Sequence, residues 1–278
     1  MVKPATRRQA VRYVQSTYGL SERGSCRALG MSRATQRYAR RRGEPEELLA
    51  RLRELAAKRP RAGYRTLGRL LEREGLQVNH KRVYRLYRAE GLSIRVKRRR
   101  RLAASPRQAA PAVTRPGERW AMDFVSDSTT DGHRFRILTL IDPFTRCAPG
   151  VVVERSISGV RVVRFLEQVA AKSGYPRTIT VDNGPEFISN ALDQWAHAHG
   201  VQLLFSRPGK PVDNAFIESF NGRLRDECLN VNWFYGLEQA RETVGEWITD
   251  YNERRPHSSL AGRTPAEYEK QIRTSVLA

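Results

Sequence analysis

The chain lacks what would place it in a membrane or an oxidising compartment. No run of about 18 apolar residues occurs, so no membrane-spanning helix is expected. Lys3, Arg7 and Arg8 open the chain, but no apolar stretch follows them, and a secretion signal is not expected. There are only three cysteines, Cys26, Cys147 and Cys228, with no CxxC pair. They support neither a disulfide framework nor a zinc site and fit a reducing cytosol. His197 and His199 stand two apart on a predicted helix and so point to different faces, a poor metal pair. Acidic residues are missing where basic ones crowd. Residues 1–110 hold 30 Lys and Arg against 8 Asp and Glu, and the rest of the chain holds 20 against 21. The formal net charge of +21 therefore sits in the first two fifths. Solubility needs far less charge, and a membrane-surface role fits poorly with the regular apolar positions among the cations. What is left is a nucleic-acid-binding region joined to a neutral domain.

With 278 residues and 40% apolar content, the chain can fold two or three domains, one with a sizeable core. Residues 6–42 predict three short helices, with Gly19 and Gly30 as stops and Ser32 capping a helix over 33–42. A short helix, a tight turn and a capped basic helix make a helix-turn-helix pattern, with Arg33, Arg37 and Arg40 offered to DNA. An ordinary solvated hairpin would read the same way. Residues 45–92 repeat the theme. Leu48, Leu52 and Leu55, then Leu67, Leu70 and Leu71, then Val83, Leu86 and Tyr87 mark three helix faces. Asn79 is placed to cap the third, whose other face carries Lys81, Arg82, Arg85 and Arg88. From 95 to 118 the sequence becomes a linker, with a basic run that includes Lys97, Arg98, Arg99 and Arg100 and prolines at 106, 111 and 116. That run either follows a phosphate backbone or is a plain spacer.

From Arg119 the pattern turns to mixed α/β. Strands are predicted at Trp120–Val125, Phe135–Ile141, Gly150–Glu154, Arg177–Val181 and Val201–Phe205. Asp131-Gly132 is expected to turn the first two into a hairpin. Helices are predicted at Ser158–Ser173, Pro185–His199 and Asn214–Leu229. This order suits a mixed sheet with helices on its faces, as in ribonuclease-H-like domains. Three carboxylates stand out. Asp123 lies inside the first strand, where a charge is costly unless something binds it. Asp182 follows the strand Ile179-Thr180-Val181, and Glu218 sits on an otherwise apolar helical stretch. Carboxylates so placed can meet around Mg²⁺, which prefers hard oxygen ligands. Asp182 could also simply start a turn, and Glu218 could lie on a solvated face. Glu186, at the expected helix start, suits the helix dipole whatever its chemistry. Turn and cap roles account for Asp142 and Asp213.

The sequences W-A-M-D-F-V (120–125), T-V-D-N-G-P-E-F (180–187) and V-D-N-A-F-I-E-S-F-N-G-R-L-R (212–225) resemble one known family, as do N-H-K-R-V-Y-R-L-Y (79–87) and the tail motif over 251–268. It is the OrfB-type transposases of two-frame bacterial insertion sequences, within the DDE, retroviral-integrase-like group. Thirty-five residues separate Asp182 from Glu218, the family's spacing, and Arg225 stands where the family carries Lys or Arg. The resemblance implies a ribonuclease-H-like integrase core with a five-stranded mixed sheet, preceded by all-α helix-turn-helix modules. It implies Asp123, Asp182 and Glu218 as a catalytic and metal-binding triad for two Mg²⁺ or Mn²⁺ ions. It further implies cleavage of double-stranded DNA at element ends and 3′-OH transfer to a target. Arg225, nearly two helical turns past Glu218, shares its face and could hold a phosphate, or be a surface arginine beside Arg223.

The expected organisation is a helix-turn-helix segment (1–44), a second such module (45–94), the linker (95–118), the catalytic core (119–232) and a helical extension (233–278). Thr264, Pro265 and Glu267 supply cap, first-turn proline and capping-box acid for a last helix. Arg254, Arg255 and His257 either contact DNA or dock the tail. Joining two DNA ends calls for at least a homodimer. The OrfA product, normally fused by frameshifting, is an expected partner. The rival readings are a catalytically inactive DNA-binding regulator and a nuclease acting on RNA–DNA hybrids.

Overall fold

The computed structural model describes residues 4–37, 46–94, 113–207 and 214–277. The chain divides into two compact units, Met1–Leu49 and Ala50–Ala278. In the first, helices α1 (Pro4–Tyr18), α2 (Glu22–Ala28) and α3 (Arg33–Arg37) close over Val11, Cys26 and Met31. Gly19 and Gly30 take φ of 64° and 59°, the left-handed turn that ends α1 and α2. Ser21 Oγ accepts from Gly24 N and caps α2. The expected continuation of the third helix to Arg42, Arg40 included, lies outside the described residues, as do Lys97, Arg98, Arg99, Arg100 and Asp213.

The second unit begins within α4 (Glu46–Lys58), followed by α5 (Tyr64–Arg73) and α6 (His80–Ala89). The predicted apolar faces are the buried ones: Leu52, Leu55, Leu67, Leu71, Val83, Leu86 and Tyr87 are all nearly inaccessible. Asn79 caps α6, its Oδ1 accepting from Lys81 N at 2.9 Å. Gly68 of α5 faces Val83 of α6, and a Cβ there would sit in ordinary van der Waals contact with the Val83 methyls, the nearer at 3.7 Å.

A five-stranded sheet of order β3-β2-β1-β4-β5 forms the centre. Its strands are β1 (Arg119–Ser128), β2 (Arg134–Ile141), β3 (Gly150–Glu154), β4 (Thr178–Val181) and β5 (Gln202–Phe205). The first three are antiparallel, and β1, β4 and β5 run parallel. Period-two alternation sorts the strands into two cores. Trp120, Met122, Leu138, Ile179 and Val181 pack with Leu166 of α7 (Gly159–Ser173) and Leu192 of α8 (Asn190–Ala198). Ala121, Val125, Ile137 and Ile141 pack on the other face with α9 (Ala215–Glu227) and α10 (Leu237–Glu253). This is the ribonuclease-H-like integrase core expected, with helical helix-turn-helix-like elements before it. Helix α11 (Pro265–Leu277) closes the chain through the expected capping box, Glu267 N donating to Thr264 Oγ1 and Thr264 N to Glu267 Oε2.

Two expectations need correction. Helix α8 starts at Asn190, capped by Ser189, and not at Pro185. Residues 185–188 form a turn instead, in which Phe187 and Ile188 N donate back to Gly184 O. Glu186 is therefore not a first-turn acid. The end of the expected linker is also not free, since Gly117 N donates to Asp142 and Arg177 N to the Glu118 oxygen. Asp142 does shape its turn, receiving Phe144 N and Thr145 Oγ1 as well.

Candidate active site

Asp123 falls in step with Ala121 and Val125, so alternation turns it toward α9 and not into the α7–α8 core. It is half-buried in the middle of β1. Its Oδ1 accepts from Phe124 N at 2.7 Å and its Oδ2 from Asn221 Nδ2 at 2.9 Å. Asn221, buried on α9, is itself oriented by Thr139 on β2, whose Oγ1 lies 2.8 Å from Asn221 Oδ1. Thr139 is the direct cross-strand partner of Asp123, so this bond follows from the sheet register.

Asp182 emerges one residue past β4, which runs parallel to β1 with Thr180 beside Ala121. The same alternation puts it on the Asp123 side of the sheet. Its Oδ1 takes Gly184 N at 3.0 Å, and Asn183 Nδ2 donates to the backbone oxygen of Ser206, one residue past β5. Glu218 lies on the exposed side of the first turns of α9, three residues before Asn221. Burial raises the Asp123 carboxyl above the usual carboxylate range, and the negative charges of Asp182 and Glu218 push it the same way. The three carboxylates thus share one electric field. Among the described residues, no three His, Cys, Asp or Glu side chains already stand as a metal cage. Like charges repel, and Asp182 and Glu218 are both exposed.

Glu186 stands close by. A Cβ on Gly184 would meet Asp182 Oδ1 at 3.0 Å and Glu186 Oε2 at 3.3 Å, so only glycine fits between the two acids without displacing one. Arg136 on β2 pairs with Glu186 and stacks 4.1 Å from the Phe124 ring centroid, which keeps that carboxylate ionised and turned to a cation.

The remaining predicted contacts are scattered. Arg225 is exposed beside β1, its Nη2 donating to Ser126 O at 3.2 Å. Arg33 and Arg37 both reach Glu22 on α2, so part of their charge is answered within the same unit. Lys81, Arg85 and Arg88 line the exposed face of α6, with Arg82 half-buried. In the tail, Arg255 pairs with Glu227 at 2.5 Å, and His257 is buried against Tyr251. Those two dock the tail, and only Arg254 of the three is exposed. Sequence reading passed over Asn221, Thr139 and Arg136. Asn221 had a usable signal, a polar residue on the buried stripe of a helix one turn past Glu218, whereas Thr139 and Arg136 needed the strand register.

Residues 113–211 and 199–265 both match the family described as the integrase core domain, and residues 44–101 match the HTH-like domain. A protein of insertion element IS407 from Burkholderia multivorans is 47% identical, over 94% of this chain and 95% of its own length. The transposase for insertion sequence element IS904 of Lactococcus lactis is 30% identical, over 57% of this chain and 63% of its own. Among solved structures, the simian T-cell lymphotropic virus intasome in complex with PP2A regulatory subunit B56 gamma shares the fold. Its TM-score is 0.52 at 13% identity, over 78% of this chain and 74% of that one.

Proposed function

The chain belongs to the integrase-core transposases of bacterial insertion sequences, and on that premise we propose that it cuts DNA at the ends of its element and joins the freed 3′-OH to a target strand. The observation that carries this reading is the common field of Asp123, Asp182 and Glu218, brought from mid-strand, strand end and facing helix to one side of the sheet. Hard carboxylate oxygens with unbalanced negative charge suit a divalent cation, Mg²⁺ or Mn²⁺. Asp123, Asp182 and Glu218 would hold such ions. When bound, a pair of ions activates the attacking oxygen and offsets charge on the leaving one in an in-line displacement.

The chain's own residues supply the rest. Phe124 N and Asn221 Nδ2 hold the Asp123 carboxylate in one orientation. Arg225, seven residues past Glu218 on α9, would take a phosphate of the bound strand. The basic helices before the core, α6 foremost, would supply most of the affinity for duplex DNA through phosphate contacts. No protein nucleophile is required, since water and then a DNA 3′-OH can attack at the same site. Two ends must be joined, so the working form is at least a dimer, and the OrfA product would add a further DNA-binding segment. Incubating the protein with a duplex of its own element's terminus and Mg²⁺ or Mn²⁺ tests the reading. Glu218→Gln should abolish cleavage and joining while DNA binding survives, and strand transfer near the wild-type rate would remove Glu218 from the mechanism.

A further inference from the structure

Helix α6 hides Val83, Leu86 and Tyr87 but leaves a tyrosine ring in the open: Tyr84 is 43% exposed. Lys81, Tyr84, Arg85 and Arg88 fall three, four and seven residues apart, which puts them on one face of the helix, and all four are exposed. The ring is held although it is not covered. Tyr64 on α5 meets it with centroids 4.8 Å apart, and the Arg88 guanidinium lies over it at 6.0 Å. Tyr64 is fixed in turn, its hydroxyl receiving Arg65 Nε at 3.2 Å and its ring standing 6.3 Å from Tyr87. Tyr87 is buried, and its hydroxyl accepts from Ile94 N at 3.0 Å. Two of the three tyrosines therefore build the module, and the third is presented by it.

Cations bind phosphate and are largely indifferent to sequence. A tyrosine hydroxyl can reach a phosphate, but the ring itself gains nothing there, and it complements the one apolar group that the major groove displays, the C5-methyl of thymine. In a helix-turn-helix pair the early residues of the second helix reach base edges, and Tyr84 is the fifth residue of α6. We propose that α6 lies in the major groove of the element's terminal DNA with Tyr84 against a thymine methyl, flanked by Lys81, Arg85 and Arg88 on phosphates. This assignment rests on the DNA-end reading given above and adds a sequence-reading side chain to it.

The experiment uses the full chain, a duplex of its own element's terminus, and a scrambled duplex of equal composition, titrated by fluorescence anisotropy at several salt concentrations. Tyr84→Ala weakens binding to the terminal duplex about tenfold and to the scrambled one by less than about twofold, with the salt slope unchanged. Tyr84→Phe stays within about twofold on both, because the methyl contact needs the ring and not the hydroxyl. Lys81→Ala weakens both duplexes alike and lowers the salt slope by about one. Replacing thymines one at a time by uracil, which lacks only the methyl, costs the wild type about fourfold at one position and costs Tyr84→Ala nothing there. Melting curves of each variant check folding, and the uracil series needs no altered protein to find that position. Equal loss on both duplexes, or no uracil position coupled to Tyr84, overturns the assignment. A change of oligomeric state in Tyr84→Ala with DNA binding intact also overturns it and makes the ring a protein contact. If the wild type itself does not prefer the terminal duplex, the DNA-end reading falls with it, whereas preference retained by Tyr84→Ala sinks this assignment alone.

Discussion

Asn221 joins the two halves of the site, its Nδ2 donating to Asp123 Oδ2 at 2.9 Å from a helix position three residues past Glu218. The bond ties α9 to β1, beside the packing of Ile217, Phe220 and Leu224 on the same face of the sheet. Thr139 decides which way the amide faces, because its Oγ1 lies 2.8 Å from Asn221 Oδ1. The same hydroxyl is 3.0 Å from the backbone oxygen of Asp123, and its single proton serves one of the two at a time.

Asn221→Ala should therefore damage the site without unfolding the protein. Asp123 loses one of its two anchors, and Thr139 keeps the Asp123 carbonyl as an alternative partner. Losing a group that orients a metal-binding carboxylate costs about tenfold to a hundredfold in activity or metal affinity. Strand-transfer rates across a Mg²⁺ titration check this. An unchanged rate at every Mg²⁺ concentration would leave Asn221 a packing residue only.

Asp123→Asn should make the metal-free protein more stable while removing its activity. Burial and the charges of Asp182 and Glu218 all disfavour an ionised Asp123, and an uncharged amide of the same shape escapes them. The hydrogen bonds survive if Asn221 turns over: its Oδ1 then accepts from the new amide and its Nδ2 donates to Thr139 Oγ1, which sends its proton to the backbone oxygen. The gain is expected in a chelator and is read as a higher melting temperature. A lower melting temperature in the chelator would show that the carboxylate's hydrogen bonds outweigh its repulsions.

The tail gives a pH prediction. Burial, together with the nearby Arg255, pushes His257 down to about 3, so the folded protein keeps this ring neutral. The unfolded chain protonates it near the ordinary value of about 6.5. Between those two values the unfolded state binds the extra proton. This part of the stability is therefore complete above about pH 6.5 and declines as pH falls toward 3. The slope contributed approaches about 1.4 kcal/mol per pH unit. His257→Gln can keep a donor toward the Tyr251 oxygen but does not titrate, so stabilities from urea melts of wild type and variant should run parallel above about pH 6.5, shift relative to each other between about 6.5 and 3 as the wild type loses this contribution, and run parallel again below about 3. Equal pH dependence of the two proteins across this range would mean that His257 is already charged in the fold.

Much of this was legible in the sequence, and particular residues show where legibility stopped. Asp123 could be placed because a charge inside an apolar strand is rare, and the period of two then fixes its face. Helices α5 and α6 followed from leucine spacing and from the cap at Asn79. The start of α8 did not, because Pro185 and Glu186 carry first-turn signals, and the turn that displaces them depends on Gly184 and on Arg136 fifty residues earlier. For Arg255 and His257 the sequence left DNA contact and docking of the tail equally open, and only the fold brings Glu227 and Tyr251 beside them. Long-range ion pairs leave no local pattern.

That lesson bears on the charge division. The basic excess before residue 111 implied that the two parts of the chain could be separated, and the structure adds ties across the cut among the described residues: Arg59 to Asp250, Arg61 to Asp226 and Arg73 to Glu267. All six side chains keep between 22% and 53% exposure, and such surface pairs contribute at most about 1 kcal/mol each. A cleft of about 910 Å³, lined by Arg59, Arg61, Trp247 and Arg254 among others, lies along the same boundary, so the packing there is incomplete. Both apolar cores of the sheet lie wholly beyond residue 119. A fragment of residues 113–278 should therefore fold, melting only a few degrees below the whole chain. It should bind terminal duplex poorly, having lost the cations whose phosphate contacts release counterions. A fragment of residues 1–110 should bind DNA with a steep salt dependence and cleave nothing. Titrating both against the same duplex at several salt concentrations decides the matter. Should residues 113–278 alone bind element ends as tightly as the full chain, the basic helices would be chiefly protein-contact surfaces, and the OrfA product would be the first partner to test on them.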